Sequence, residues 1–178
     1  MDFSKIDDDL AKEIVRGGEA YLDGQAKIAA SADSRSAGLA GIYTAAAMAL
    51  IAGTIALTNP AWNVPGHTPM MAGGVVSAAC FLTGAILCIV AIQPTAFWLA
   101  GCEPENWAED IASGRKLREC LGDRALHIQE EIAENTAVIT KNARLFKWGS
   151  TFGILAPVAG LVVWLTAHYV DWLIALHV

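Results

Sequence analysis

Charge is scarce in this 178-residue chain. Only 17% of its residues are Asp, Glu, Lys or Arg, whereas an ordinary soluble domain carries about 25%. Hydrophobic residues make up 54% of the sequence, and the mean hydropathy is +0.42. These values argue against a soluble globular domain, and the length predicts a single domain.

A basic excess is also missing. Twelve Lys and Arg residues stand against 18 Asp and Glu residues, which gives a formal net charge of −6. Proteins that bind nucleic acids need clustered Lys and Arg to neutralise phosphates. The composition therefore excludes a nucleic-acid polymer as the expected partner.

Catalytic and metal-binding motifs are absent from the sequence. The four cysteines form no Cys-x-x-Cys pair and have no histidine at metal-ligand spacing. The sequence has no glycine-rich nucleotide loop, no Gly-x-Ser-x-Gly elbow and no His-Glu-x-x-His helix. We therefore expect a non-enzymatic protein without a metal ion or a cofactor.

Three long stretches contain no charged residue: residues 36–58, 70–92 and 148–170. A helix of this length, at about 1.5 Å per residue, crosses a hydrocarbon core of about 30 Å. Continuous apolar stretches favour helices, because a barrel would alternate polar and apolar residues. The sequence predicts an all-α integral membrane protein with three transmembrane helices, in which a removable signal peptide is not expected.

The distribution of Lys and Arg predicts the orientation. Five lie in residues 1–35 and seven in residues 93–147, while residues 59–69 and 171–178 have none. The positive-inside rule then places the N-terminus and the middle segment in the cytoplasm, and the short loop and the C-terminal tail outside. We expect a multi-pass protein of a bacterial inner (plasma) membrane, with the lipid bilayer as its first partner.

The charged segments predict a cytoplasmic helical cap. In residues 1–35, apolar residues recur at helical spacing and continue into the first span without a break. The residues predicted for this face are Ile6, Leu10, Ile14, Tyr21, Ile28 and Ala32.

The second part of the predicted cap is a helical hairpin in residues 93–147. Asn106 and Glu109 resemble a capping box, Gly122 is a plausible helix end, and Asp123 can cap a returning helix. We expect this returning helix to enter the third span directly and to pair with the N-terminal helix.

Small residues recur along the three spans at intervals that place them on helix faces. Such residues allow helices in lipid to approach closely. The first expectation is packing of the three spans within one chain, and the alternative is an interface between copies. The predicted packing residues are Gly41, Ala45, Ala49 and Gly53 in the first span, Gly73, Ser77 and Gly84 in the second, and Gly149 and Gly153 in the third.

Polar residues precede the first and third spans. One interpretation is an interfacial belt of ordinary ion pairs. The alternative is a site for an anionic ligand or a lipid head group, in which basic side chains converge on phosphate. The candidate ligand-binding residues are Asp33, Arg35, Asn135, Lys141, Asn142 and Arg144.

The segment after the second span is rich in proline and aromatic residues. Pro94, Phe97, Trp98 and Trp107 predict a rigid segment near the membrane surface. It is a candidate docking surface for a protein partner, or a loop that lies on the bilayer.

Two sequence segments carry a family resemblance: "ASADSRSAGLAGIYTAAA", which opens the first span, and "EIAENTAVITKNARLFKWG", which opens the third. Together with the order of helices, they resemble the membrane effectors of the Pycsar antiphage systems. In that family an Asp, a basic residue and a small residue open the first span, which corresponds here to Asp33, Arg35 and Ser36. The resemblance implies a non-enzymatic protein that responds to a cyclic pyrimidine nucleotide and impairs the inner membrane.

Three functions remain open at this point. The first is an inducible defence effector that oligomerises through the small residues of its spans. The second is an accessory subunit of a larger bacterial membrane complex. The third, a small channel formed between copies, is disfavoured because the spans offer few polar groups to line a path.

Overall fold

The computed structural model describes residues 6–59 and 67–175, and this part of the chain is helical without any strand. The helices are α1 (Asp8–Ala56), α2 (His67–Ala91), α3 (Ala108–Ser113) and α4 (Leu117–Ala175), and a short 3-10 helix covers Pro104–Trp107. The helices α1, α2 and α4 each contain a stretch long and apolar enough to cross a membrane. The predicted all-α fold with three such helices is confirmed for the described residues.

Two of the helices are much longer than a membrane span. Helix α1 has 49 residues and α4 has 59, which at about 1.5 Å per residue gives roughly 74 Å and 88 Å. A hydrocarbon core is only about 30 Å thick. Each helix therefore joins a charged half to an apolar half without a break, and α4 continues through Pro157.

The chain divides into two compact units. Unit 1 consists of Met1–Ala32 and Pro94–Lys141, and unit 2 consists of Asp33–Gln93 and Asn142–Val178. In unit 1, the buried cluster joins α1 to α4, and Trp107 and Ile132 pack against it. Its members are Ala11, Val15, Leu22, Leu121 and Ile128.

The predicted apolar face of the N-terminal helix is wrong at three of its six residues, while Ile6 does pack against the buried cluster. Leu10, Tyr21 and Ile28 are 49%, 57% and 57% exposed, and the buried residues include Ala11 and Leu22 instead. Both sets recur at fours and sevens, so spacing alone does not distinguish them. The close approach of α1 to α4 selects the buried face, because a Cβ placed on Gly18 would lie 2.6 Å from Cγ2 of Ile128.

The helical hairpin turns earlier than the sequence predicted. Helix α3 ends at Ser113, where Gly114 follows with a left-handed φ of 66° that favours glycine. Gly122, the predicted helix end, is buried inside α4, and Asp123 is also helical rather than a cap. The predicted capping box is wrong as well, because Trp107 precedes α3 and no side chain caps it.

Unit 2 has its own core, formed by parts of α1, α2 and α4. Ala40, Tyr43, Ala85 and Cys88 are buried there, with Leu39, Phe81 and Phe146 packed against them. The rings of Tyr43 and Phe81 lie 5.7 Å apart at an angle of 40°. Many larger apolar residues of this unit point outward, as expected for helices that face lipid.

Candidate functional site

Small residues bring α2 and α4 into backbone contact in unit 2. A Cβ on Gly73 would lie 2.6 Å from the carbonyl oxygen of Gly160, and one on Gly84 would lie 2.9 Å from that of Gly149. Any larger side chain at these positions would force the two helices apart. The structure places Gly73, Gly84 and Gly149, three of the residues predicted for helix packing, at these contacts within the chain.

A hydroxyl and an aromatic ring complete this packing. The Ser77 Oγ donates a hydrogen bond of 2.9 Å to the carbonyl oxygen of Ala156. At Gly153, a Cβ would overlap the ring of Tyr43, so this glycine makes room for α1. Ser77 and Gly153 therefore also serve the packing that the sequence predicted.

The small-residue stripe of α1 behaves differently. Gly41, Ala45, Ala49 and Gly53 are all exposed, and a Cβ on Gly41 or Gly53 would meet no atom within 4 Å. At about 100° per residue, Gly41 and Ala45 lie roughly 160° around α1 from Tyr43, Ala49 roughly 120° and Gly53 roughly 80°. For these four residues, the expectation of packing within one chain is wrong.

One candidate ligand-binding residue has a structural role instead. Asn135 is completely buried. Its Oδ1 accepts a hydrogen bond of 2.9 Å from the backbone N–H of Trp98, and its Nδ2 donates one of 2.9 Å to the carbonyl oxygen of Trp98. Because Asn135 is fully buried and bonded to the Trp98 backbone, the structure gives it a role in holding the linker rather than a place on an accessible anion site.

The other candidate ligand-binding residues are divided between the two units. Lys141 belongs to unit 1, and Asp33, Arg35, Asn142 and Arg144 belong to unit 2. The Asn142 side chain is partly buried, and the others are exposed. Their role in binding an anion or a head group stays a prediction.

The aromatic linker is folded onto α4 in unit 1. The indole Nε1 of Trp98 donates a hydrogen bond of 2.5 Å to Glu134, and the carbonyl oxygen of Gly101 accepts one of 2.8 Å from Arg124. Trp107 packs against the core of the unit, while Pro94 is exposed and Phe97 is partly buried. Asn135 and these contacts hold the linker in place, so only part of the predicted docking surface faces outward.

A cavity of about 510 Å³ lies in unit 1, between the linker, α3 and the first turns of α4. Its wall includes Trp98 and Trp107, and carboxylates contribute most of its charge. The acidic residues of the wall are Glu109, Asp110, Asp123, Glu130, Glu131 and Glu134. Both tryptophans belong to the segment that the sequence predicts as a docking surface, whereas the cavity itself has no signature in the sequence.

Two arginines of the wall are already paired. Arg115 contacts Asp110 at 2.7 Å and Asp123 at 2.6 Å, and these hydrogen bonds raise the pKa of its guanidinium above the ordinary value. Arg124 contacts Glu131 at 2.9 Å. Both basic groups are thereby neutralised by carboxylates of the same wall.

Two thiols also line the cavity, Cys102 and Cys120. Burial, together with the nearby Asp110 carboxylate, raises the pKa of the Cys120 thiol. Cys120 therefore stays protonated at neutral pH and is a poor nucleophile. No cluster of three His, Cys, Asp or Glu residues with metal-binding geometry occurs among residues 6–59 and 67–175.

Comparison with known proteins gives no relative of this chain: no protein-family model, no curated protein and no solved structure matches it.

Proposed function

We propose that this chain is a non-enzymatic membrane protein whose copies associate through the exposed stripe of α1. The observation that supports this most directly is the contrast between the small-residue faces. Those of α2 and α4 are filled by each other, whereas Gly41 and Gly53 have open space beside them.

The physical chemistry of lipid favours such a contact. Apolar helices gain little from hiding apolar surface in a bilayer, so close van der Waals packing and hydrogen bonds drive their association. A face built from Gly41, Ala45, Ala49 and Gly53 lets a second helix approach its backbone. The other exposed side chains of the α1 span include Ile42, Met48 and Ile55, which are larger and suit contact with lipid tails.

The finer proposal is a defence effector of a bacterial inner membrane, with the N-terminus inside and the C-terminus outside. Three observations support it: the two span-opening segments resemble those of the Pycsar membrane effectors, the small-residue stripe of α1 is exposed, and Lys and Arg are confined to residues 1–35 and 93–147. In this proposal a cyclic pyrimidine nucleotide triggers the association. The cavity of unit 1 is a poor place for that nucleotide, because its acidic wall repels phosphate.

An accessory subunit is the second candidate, and one observation favours it. Leu10, Tyr21 and Ile28 expose large apolar surface on the charged half of α1, outside the predicted span. Exposed apolar patches in water mark contacts with other proteins. A larger complex would cover these residues with another subunit.

The test is the mass and composition of the complex extracted from native membranes in a mild detergent. We expect a homo-oligomer, or a monomer that assembles when a cyclic pyrimidine nucleotide is added. The double variant Gly41→Leu with Gly53→Leu should still fold, since a Cβ at either position meets no atom within 4 Å. It should remain monomeric, because the larger side chains keep a second helix away from the α1 backbone. The matched control is Ala79→Leu, which enlarges an exposed residue of α2 and should associate like the natural chain.

Two results would contradict self-association through α1. One is a natural chain that stays monomeric with and without nucleotide. The other is an oligomer of the same size in the double variant. A fixed stoichiometry with other subunits would instead support the accessory role.

A further inference from the structure

We propose that unit 2 binds the head group of an anionic phospholipid where α4 enters its apolar stretch, through Arg144 and Lys147. Trp148 follows directly, and all three side chains are exposed. Of the residues that the sequence offered for an anion, this proposal keeps Arg144, and it adds Lys147 and Trp148. It does not require copies of the chain to associate through α1.

Arg144 and Lys147 differ from several basic residues of unit 1 in having no carboxylate partner. In unit 1, Lys12 forms an ion pair of 2.9 Å with an aspartate, and Arg124 forms one of 2.9 Å with a glutamate. Arg144 and Lys147 form none within the described part of the chain. The sequence explains this, because residues 135–170 contain no Asp or Glu, and neither cation has an acidic neighbour one turn away on α4. Both are therefore left to an anion from outside the chain.

The neighbouring part of α1 does not neutralise these cations. The spans of α1 and α4 begin at the same end of unit 2, because Leu39 and Phe146 pack on one buried cluster. The only charged residues that α1 contributes to unit 2 are Asp33 and Arg35, whose formal charges cancel. The two cations of α4 keep their net charge, and the resulting potential attracts anions.

The exposed ring of Trp148 indicates the depth of this site in a membrane. Trp148 is 56% exposed, and tryptophan at the end of a span prefers the interface between membrane and water. Arg144 precedes it by four residues, which is about 6 Å along the helix. The head-group layer on each side of the hydrocarbon core is about 5–7 Å thick. Both basic side chains therefore lie at the depth of the lipid phosphates.

The same side of α4 offers an apolar surface to the acyl chains. At about 100° per residue, Trp148 and Leu155 lie within about 40° of Arg144 around the helix, and Gly149 and Gly153 lie roughly 140–180° away. The two glycines contact neighbouring helices, whereas Leu155 is 52% exposed. A ligand with an anionic head and apolar chains can use both parts of this surface, while a soluble phosphate can use only the first.

The two basic groups have complementary roles at a phosphate. The planar guanidinium of Arg144 can donate two parallel hydrogen bonds to two phosphate oxygens, and the ammonium of Lys147 adds a mobile point charge. Each basic residue near an anionic membrane surface strengthens binding roughly fivefold. The pair therefore favours an anionic lipid over a zwitterionic one with the same chains.

The first experiment counts the lipids that the full-length protein retains in a mild detergent, using native mass spectrometry. Equal amounts of dioleoyl phosphatidylglycerol and dioleoyl phosphatidylcholine compete, so that only the head group differs. We expect a preference of at least about tenfold for phosphatidylglycerol. Glycerol phosphate, which carries the phosphate without acyl chains, should not displace this lipid at equal concentration.

Two double variants locate the site. Arg144→Gln with Lys147→Gln should reduce the preference to less than about twofold. The matched control, Arg16→Gln with Lys116→Gln, removes the same two charges from exposed positions of unit 1 and should keep the preference of the natural chain. Equal melting temperatures verify that the variants fold. Lys147→Gln alone should give an intermediate preference, and it supplies the test if the double variant is unstable.

Three outcomes would overturn the proposal. The first is equal retention of the two lipids by the natural chain. The second is an equal loss of preference in the two double variants, since the effect would then follow total charge rather than this site. The third is displacement of the lipid by glycerol phosphate, which would indicate a site for a soluble phosphate. A chain that stays monomeric would contradict the association through α1 and leave each of these readouts unchanged.

Discussion

At the scale of single residues, Asn135 shows how one buried amide can hold a loop. Its side chain makes the same pair of hydrogen bonds to Trp98 that a neighbouring strand would make. Truncation in Asn135→Ala leaves the N–H and C=O of Trp98 without these partners and should cost about 1–3 kcal/mol of stability. Hydrogen exchange should become faster at the Trp98 amide, and the melting temperature in detergent should fall.

The matched control is Gln129→Ala, which truncates an exposed amide on the same helix. We expect it to leave both measurements near those of the natural chain. Unchanged exchange at Trp98 in Asn135→Ala would show that other contacts hold the linker.

The sequence could not reveal this role of Asn135. A polar residue near the predicted membrane entrance suits a ligand site as well as a structural bond. The choice depends on where Trp98 lies, and Trp98 is 37 residues away in the chain. Only a folded chain brings an irregular segment to that side of α4.

At the scale of helices, the contact of α2 with α4 depends on the absence of side chains. In Gly84→Leu, the first added carbon would already lie 2.9 Å from the carbonyl oxygen of Gly149 and 3.2 Å from the Tyr43 ring. Overpacking of this kind costs about 1–3 kcal/mol. We expect a lower melting temperature in detergent, whereas Ala79→Leu on the exposed side of α2 should melt like the natural chain. Equal melting of the two variants would mean that α2 and α4 separate easily.

Helix type was predictable from the sequence, but helix boundaries and faces were less so. An uncharged stretch of about 20 residues has few alternatives to a membrane-crossing helix. The turn, in contrast, was predicted at Gly122, but the chain turns at Gly114, where a left-handed φ of 66° favours glycine. Likewise Leu10 and Ala11 belong to stripes of similar spacing, and the buried stripe is the one that includes Gly18, where a Cβ would lie 2.6 Å from Cγ2 of Ile128.

At the scale of the whole molecule, the two candidate regions differ in how far the sequence predicts them. The α1 stripe was visible as a four-residue repeat of small residues, although its exposure was not. The cavity was not visible, because its wall combines the linker with acidic positions on α3 and α4. The pair Glu130 and Glu134, one turn apart near Trp98 in the fold, was the available signal.

The orientation of the molecule can be tested with its own cysteine. Cys102 is partly exposed and lies in the segment 93–147, which the positive-inside rule places in the cytoplasm. In a variant that keeps only this cysteine, a membrane-impermeant maleimide should label intact spheroplasts weakly and permeabilised ones at least about tenfold more strongly, because the bilayer excludes the charged reagent.

The control adds Thr58→Cys to a chain without other cysteines. Thr58 is exposed in the turn just after α1, on the predicted outer side, so this variant should react equally in both preparations. Strong labelling of Cys102 in intact spheroplasts, with Thr58→Cys protected, would reverse the orientation and place the acidic cavity outside the cell.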